Sequence, residues 1–162
     1  DSLSVEKIEN LVYLKVNEAR RLNEVGGSDL VWSQELADLG RFLSEDRANR
    51  QYSGHVDPEG LSPISHAKLR GISNLNIGEN IMEMPYGNVI NCGSVRTEEA
   101  VTDCTINGWL ESPGHALNML NSTHREIGVG VAFDGFKYII SLELRGNRSW
   151  CYTSKECGYE ID

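Results

Sequence analysis

The chain has 162 residues, 40% of them apolar and 24% charged, with a formal charge of −9. That length suits one domain burying roughly 70% of the surface its unfolded form would expose, and the periodic spacing of the apolar positions argues against disorder. The acidic balance argues against a nucleic-acid partner, because the one basic cluster, Arg41, Arg47 and Arg50, is interleaved with Glu45 and Asp46. No run approaches the roughly 18 apolar residues of a membrane span, so none is expected within these residues.

Val5 to Leu22 reads as a helix: Ser4 can cap it, Leu3 and Ile8 have the spacing of a hydrophobic staple, and Ile8, Leu11, Val12, Ala19 and Leu22 share a face. Gly26-Gly27 ends it. A second helix is expected from Ser33 to about Arg50, burying Leu36, Leu39, Phe42 and Leu43, with Trp32 packing at its entry. Ser62-Pro63 supplies the cap and first-turn proline of a third, which Gly71 stops. Gly78 to Met82 reads as extended, and Met84 to Ser94 as a loop. Thr97 to Glu111 forms a fourth helix carrying Val101, Ile106, Trp109 and Leu110, and Ser112-Pro113 starts a short fifth that runs to Leu120.

The clearest strand signal comes late. Ile127, Val129, Val131 and Phe133 alternate with Gly128, Gly130 and Ala132, and after Asp134-Gly135 the pattern resumes through Tyr138, Ile140, Leu142 and Leu144, which predicts a hairpin. The Gly, Gly, Ala face leaves room for another backbone, and the opposite face is large and apolar. Helices on both sides of a mainly antiparallel sheet give an α/β class, a three-layer α-β-α sandwich, in one domain spanning residues 1–162.

Four cysteines, Cys92, Cys104, Cys151 and Cys157, allow three pairings, and none has the CxxC spacing of a zinc ribbon or redox site. Two disulfides are expected. Cys151 with Cys157 would close a short loop in a C-terminal extension, residues 145–162, and Cys92 with Cys104 could pin a loop to the start of a helix. Disulfides imply an oxidising compartment.

The four histidines differ in setting. His55 lies in Tyr52-Ser53-Gly54-His55-Val56-Asp57-Pro58, loop-forming residues that let its ring enter a cleft, and His115 lies in the first turn after Ser112-Pro113-Gly114. His66 and His124 are expected at the surface or as caps. Glu79 follows a glycine at the start of an extended segment, where a neighbouring imidazole can hold a carboxylate, and Glu111 precedes Ser112. If these ends meet, two imidazoles and one or two carboxylates could hold zinc or another divalent ion with a position open for water, or could simply hydrogen-bond across a loop junction. A Ser/His/Glu triad through Ser53 or Ser112 is disfavoured, since neither serine lies in a Gly-x-Ser-x-Gly elbow and Ser112 is better used as a cap.

Asn17-Glu18-Ala19-Arg20, Leu30-Val31-Trp32, Ser53-Gly54-His55, Gly78-Glu79-Asn80-Ile81, Trp109 through Ser112-Pro113-Gly114-His115 and Asn118, and Ile127-Gly128-Val129-Gly130, in this order and spacing, make the chain resemble the CAP superfamily. These are the cysteine-rich secretory, venom antigen and plant pathogenesis-related proteins. The uninterrupted run from Trp109 to His115 resembles the prokaryotic branch. Ala116 stands where that branch usually has arginine, and Ser112 where the second groove carboxylate usually lies, with Glu111 one position short. The resemblance implies an α-β-α sandwich with a groove lined by His55, Glu79, Asn80, Glu111, Ser112 and His115, in which a divalent ion would be held by His55 and His115, with Glu79 and Glu111 as further candidates. It also implies an extracellular or cell-surface location, with lipid, peptide or protein ligands.

Three functions follow as expectations: a secreted binding module whose groove is metal-modulated, a metal-dependent hydrolase in which Glu79 is the base on bound water, and a structural or adhesive surface domain with a vestigial groove.

Overall fold

Ser4 accepts the Lys7 amide and starts α1, Val5–Leu22, and Ser33 accepts the Leu36 amide and starts α2, Gln34–Arg50; each hydroxyl satisfies a donor that the first helical turn leaves open. Between them the short strand β1 covers Val31–Trp32. Ser62, with Pro63 behind it, begins α3, Pro63–Leu69. Thr97 caps α4, Glu98–Glu111, and α5, Pro113–Met119, follows at once. The computed structural model describes residues 3–73 and 76–146; Cys151 and Cys157, and all but the first two residues of the expected C-terminal extension, lie outside them.

The sheet has the order β1-β5-β6-β2, with β2 at Ile77–Pro85, β5 at His124–Phe133 and β6 at Lys137–Gly146. β6 pairs antiparallel with both neighbours, and β1 joins β5 in parallel. In the connection between β5 and β6, the Asp134 carboxylate accepts the amides of Phe136 and Lys137 and Gly135 takes φ 101°. These amide bonds outweigh the opposing effect of burial and lower the Asp134 pKa to about 2.

Two cores lie on the two faces of the sheet. Ile8, Val12 and Val16 of α1 and Val101, Ile106 and Trp109 of α4 pack on Ile127, Val129, Val131, Ile140, Leu142 and Leu144. On the other face Leu36, Leu39 and Leu43 of α2 meet Ala67 and Ile77. The three-layer sandwich expected from the pattern is the observed one. The small face of β5 is where α2 lies closest: a Cβ at Gly128 would overlap Leu36 and Ala37, and one at Gly130 would overlap Gly40 and Arg41.

Three local expectations are corrected. Leu22 is 75% exposed, and Val16 takes its place on the buried face of α1 because the stripe steps by fours from Ile8. The segment from Met84 to Ser94 is not all loop: β2 continues to Pro85, and β3, Gly87–Val89, pairs with β4, Gly93–Val95, as a small hairpin. His66 and His124 are buried rather than on the surface, each for a reason given below.

Candidate functional site

The first piece of the site is Arg47, on the buried face of α2 four residues beyond Leu43. Its Nη2 donates to Glu79 Oε1 at 2.8 Å and its Nη1 to Glu79 Oε2 at 3.3 Å. Nη1 also donates to Ser141 Oγ at 2.6 Å, and Nε to the Gly54 carbonyl at 3.2 Å. Ser141 accepts from Arg47 and donates its hydroxyl to Ser44 Oγ (2.7 Å), since Ser44 in turn donates to the Gly130 carbonyl (2.8 Å). One guanidinium thus ties α2 to the β2–β6 pair and to the loop that begins with Gly54.

His55 follows Gly54, whose φ of 92° suits glycine. The ring Nδ1 lies 2.7 Å from Glu79 Oε1, so the carboxylate bound by Arg47 also fixes the imidazole. Burial opposes the charge on Glu79, but the Arg47 charge, the His55 hydrogen bond and the hydrogen bond shared with Glu143, its cross-strand neighbour, hold its pKa below the usual carboxylate range. The same loop is closed by Asp57. Its Oδ1 accepts the Glu59 and Leu61 amides, and its Oδ2 lies 2.7 Å from His66 Nε2 in α3. His66 is therefore buried because it anchors the loop that presents His55.

A second polar chain sets the other wall. His124 Nε2 lies 3.2 Å from Asn118 Oδ1, Asn118 Nδ2 donates to Asn80 Oδ1 at 3.0 Å, and Asn80 Nδ2 donates to the His115 carbonyl at 3.0 Å. Burial, then the charges of Arg20 and Arg125, outweigh the Asn118 bond and push the His124 pKa down to about 3. The ring is neutral and acts as a donor. Arg20 Nη1 clamps the end of α5 through the Met119 and Asn121 carbonyls, both at 2.9 Å. Ser112, expected to cap α5, makes no cap bond; its Oγ lies 2.7 Å from His115 Nδ1 and orients that ring instead.

His55 and His115 line one groove of about 560 Å³ with Ser53, Gly54, Val56, Ile81 and Glu83. Glu79 and Asn80 are buried beneath the surface, as supports. Glu111 is exposed and borders a separate pocket of about 540 Å³ beside the Cys92–Cys104 disulfide, which joins β3–β4 to α4. The serine partner and the carboxylate partner fall on different imidazoles, Ser112 on His115 and Glu79 on His55, so no Ser/His/Glu triad is assembled from these residues.

The donors do not fit the divalent ion that the family resemblance implies. The groove offers two imidazoles and the Glu83 carboxylate, which is engaged by Ser53 and Lys137; Glu79 is engaged by Arg47 and His55, and among the described residues no group of three or more His, Cys, Asp and Glu is placed to hold a metal. Catalytic zinc sites use three protein ligands and structural ones four, one or two more than the imidazole pair supplies. Arg47 is a site residue that the sequence pattern did not single out, its signal being its place on the apolar stripe of α2; Asn118 was singled out only within the family motif and His124 only as a surface or cap residue.

The fold and this groove define a CAP domain. The profile of the cysteine-rich secretory protein family, CAP, matches residues 13–142, and the chain belongs to that family. It is 31% identical to the protein YkwD of Bacillus subtilis over 132 residues, 82% of this chain and 45% of the relative. It is 30% identical to the membrane protein YlbC of the same organism over 106 residues, 65% of this chain and 27% of the relative. The chain thus spans less than half the length of these curated relatives. Among solved structures it is similar to an extracellular protein containing a SCP domain from Bacillus anthracis (TM-score 0.65, 22% identity, covering 83% of this chain and 39% of that one). It is also similar to an outer surface protein of Borrelia burgdorferi (TM-score 0.67, 13% identity, covering 91% and 98%). At such identities these structures establish the fold alone.

Proposed function

We propose that this CAP domain is an extracellular binding module that takes its ligand in the groove between the loop carrying His55 and the start of α5. The observation that carries this reading is the buried Arg47–Glu79–His55 series, which holds one ring of the groove in a fixed orientation while Ser112 orients the other and Asn80 holds its main chain. Preorganised polar groups beside apolar Val56 and Ile81 suit recognition of a ligand by a few directed hydrogen bonds. An extracellular setting is supported by the Cys92–Cys104 disulfide and by relatives described as extracellular or outer-surface proteins. No reaction is assigned, because the serine and the carboxylate do not share an imidazole and the donor set lacks a third free metal ligand.

The test follows the imidazole signals of His55 and His115 by magnetic resonance while sodium palmitate or a tryptic casein digest is added. Saturable shifts of both rings by at least one probe, lost in His55→Ala, are expected. Silence with both probes, or cleavage of the digest that depends on His55, would sink the reading.

A further inference from the structure

β2 is an outer strand of the sheet, and its register fixes where its main-chain groups point. Asp134 N–H donates to the Lys137 carbonyl (3.1 Å) and Gly146 N–H to the Asn76 carbonyl (3.3 Å). Stepping by two along the antiparallel ladders from these bonds, Gly78, Asn80, Met82 and Met84 turn their N–H and C=O toward β6, and Glu79, Ile81 and Glu83 turn theirs away. The Ile81 carbonyl agrees, since it accepts the Trp109 indole N–H at 3.1 Å. Past that indole Glu83 is an exposed residue, and no strand among the described residues pairs with that edge of β2.

Two pockets flank this short edge. Ile81 and Glu83 border the groove with His55 and His115, and Met82, Glu83 and Met84 border the pocket beside the disulfide. Side chains alternate across a strand, so Ile81 and Met82 face different pockets, and Glu83 lies at the join. An extended chain laid along the edge alternates in the same way and would send successive side chains into the two. The second pocket carries Glu83, Asp103 and Glu111 and no Lys or Arg. Lys137 lies 3.3 Å from Glu83, while Asp103 and Glu111 are exposed and have no ion pair among the described residues.

We propose that the outer edge of β2 at Glu83 takes an extended peptide as an added strand, with one small or apolar side chain in the His55–His115 groove and the next, a lysine or arginine, in the pocket rimmed by Asp103 and Glu111. The inference rests on the ligand-binding reading above and narrows it to a ligand class. Glu83 N–H and C=O give attachment independent of sequence. The Met82 and Met84 side chains accept the aliphatic stem of the basic residue, and the carboxylates accept its charged head.

The probe is a short peptide of alternating valine and threonine with one central arginine, added to the isotope-labelled chain. Companion peptides carry glutamate in place of arginine, or methyl groups on alternate main-chain nitrogens in either register. Saturable shift and slowed exchange of the Glu83 amide are expected. Affinity should weaken about tenfold for the glutamate peptide and for one methylated register, and about tenfold for the chain carrying Asp103→Asn with Glu111→Gln, whose fold is checked by its amide spectrum. Equal affinity for both methylated peptides overturns the added strand, and equal affinity for the glutamate peptide overturns the basic pocket. If palmitate or casein digest still moves the His55 and His115 signals while no peptide engages Glu83, this inference fails and the reading of the groove stands.

Discussion

Arg47 and Glu79 meet in a two-point ion pair whose side chains are 1% and 0% exposed, and the same carboxylate holds His55. The pair is the device by which α2 orients a ring in the groove. Removing one member leaves a buried charge without its partner, which costs about 3–5 kcal/mol. Arg47→Met should lower stability by that amount in urea unfolding, whereas Arg47→Met combined with Glu79→Leu should recover much of it while leaving His55 without its anchor. A loss under about 1 kcal/mol in the single variant would show that water replaces the guanidinium.

What could be read from the chain beforehand was local. Ser4, Ser33 and Ser62 announce helix starts through their own side chains, and Gly128 and Gly130 announce a close helix because their pattern lies within one strand. His55 and Glu79 stood out by their loop-forming neighbours. Arg47 did not, since Glu45-Asp46-Arg47 looks like a solvated charge run; yet it continues the spacing of Leu36, Leu39 and Leu43, and its partner Glu79 lies 32 positions away. His66 and His124 were misplaced for the same reason. Asp57 and Asn118, whose side chains satisfy the two buried rings, meet them through the folding of a loop and a helix end that spacing does not display.

Burial holds the His124 pKa near 3, with Arg20 and Arg125 adding to the effect. In the unfolded chain the ring titrates near its ordinary value of about 6.5. The depressed value means that the neutral ring's contribution is fully present above pH about 6.5 and is lost progressively as pH falls toward about 3, a difference on the order of 5 kcal/mol. Melting temperatures taken between neutral pH and pH about 4 should fall less steeply for His124→Gln than for the wild type. Parallel profiles would show that the ring is protonated inside the fold.

At Gly130 there is no space for even a methyl group, since a Cβ there would overlap the main chain of Gly40 and Arg41. Backbone cannot step aside as a flexible side chain can, so Gly130→Ala should cost about 3 kcal/mol or more, the upper end of ordinary overpacking. It should also strain the Ser44 bond to the Gly130 carbonyl, and with it the Arg47 network. Chemical unfolding gives the cost, and the His55 ring signal reports the strain; a variant as stable as the wild type would mean that α2 and β5 are farther apart than described.

His55 and His115 each have Nδ1 committed, to Glu79 and to Ser112. A divalent ion entering the groove would meet two imidazoles, water and a Glu83 carboxylate already held by Ser53 and Lys137, and having one free protein ligand fewer than the catalytic zinc sites use disfavours a tight complex. Calorimetric titration of Zn²⁺ into chelator-stripped protein at neutral pH should therefore show no saturable binding tighter than about 0.1 mM, with little change in His55→Ala or His115→Ala. A one-site micromolar isotherm lost in both variants would mean that the groove recruits a third donor on metal binding. Glu83, which lines the groove with both rings, and Glu79, which already holds His55, would then be the residues to test next.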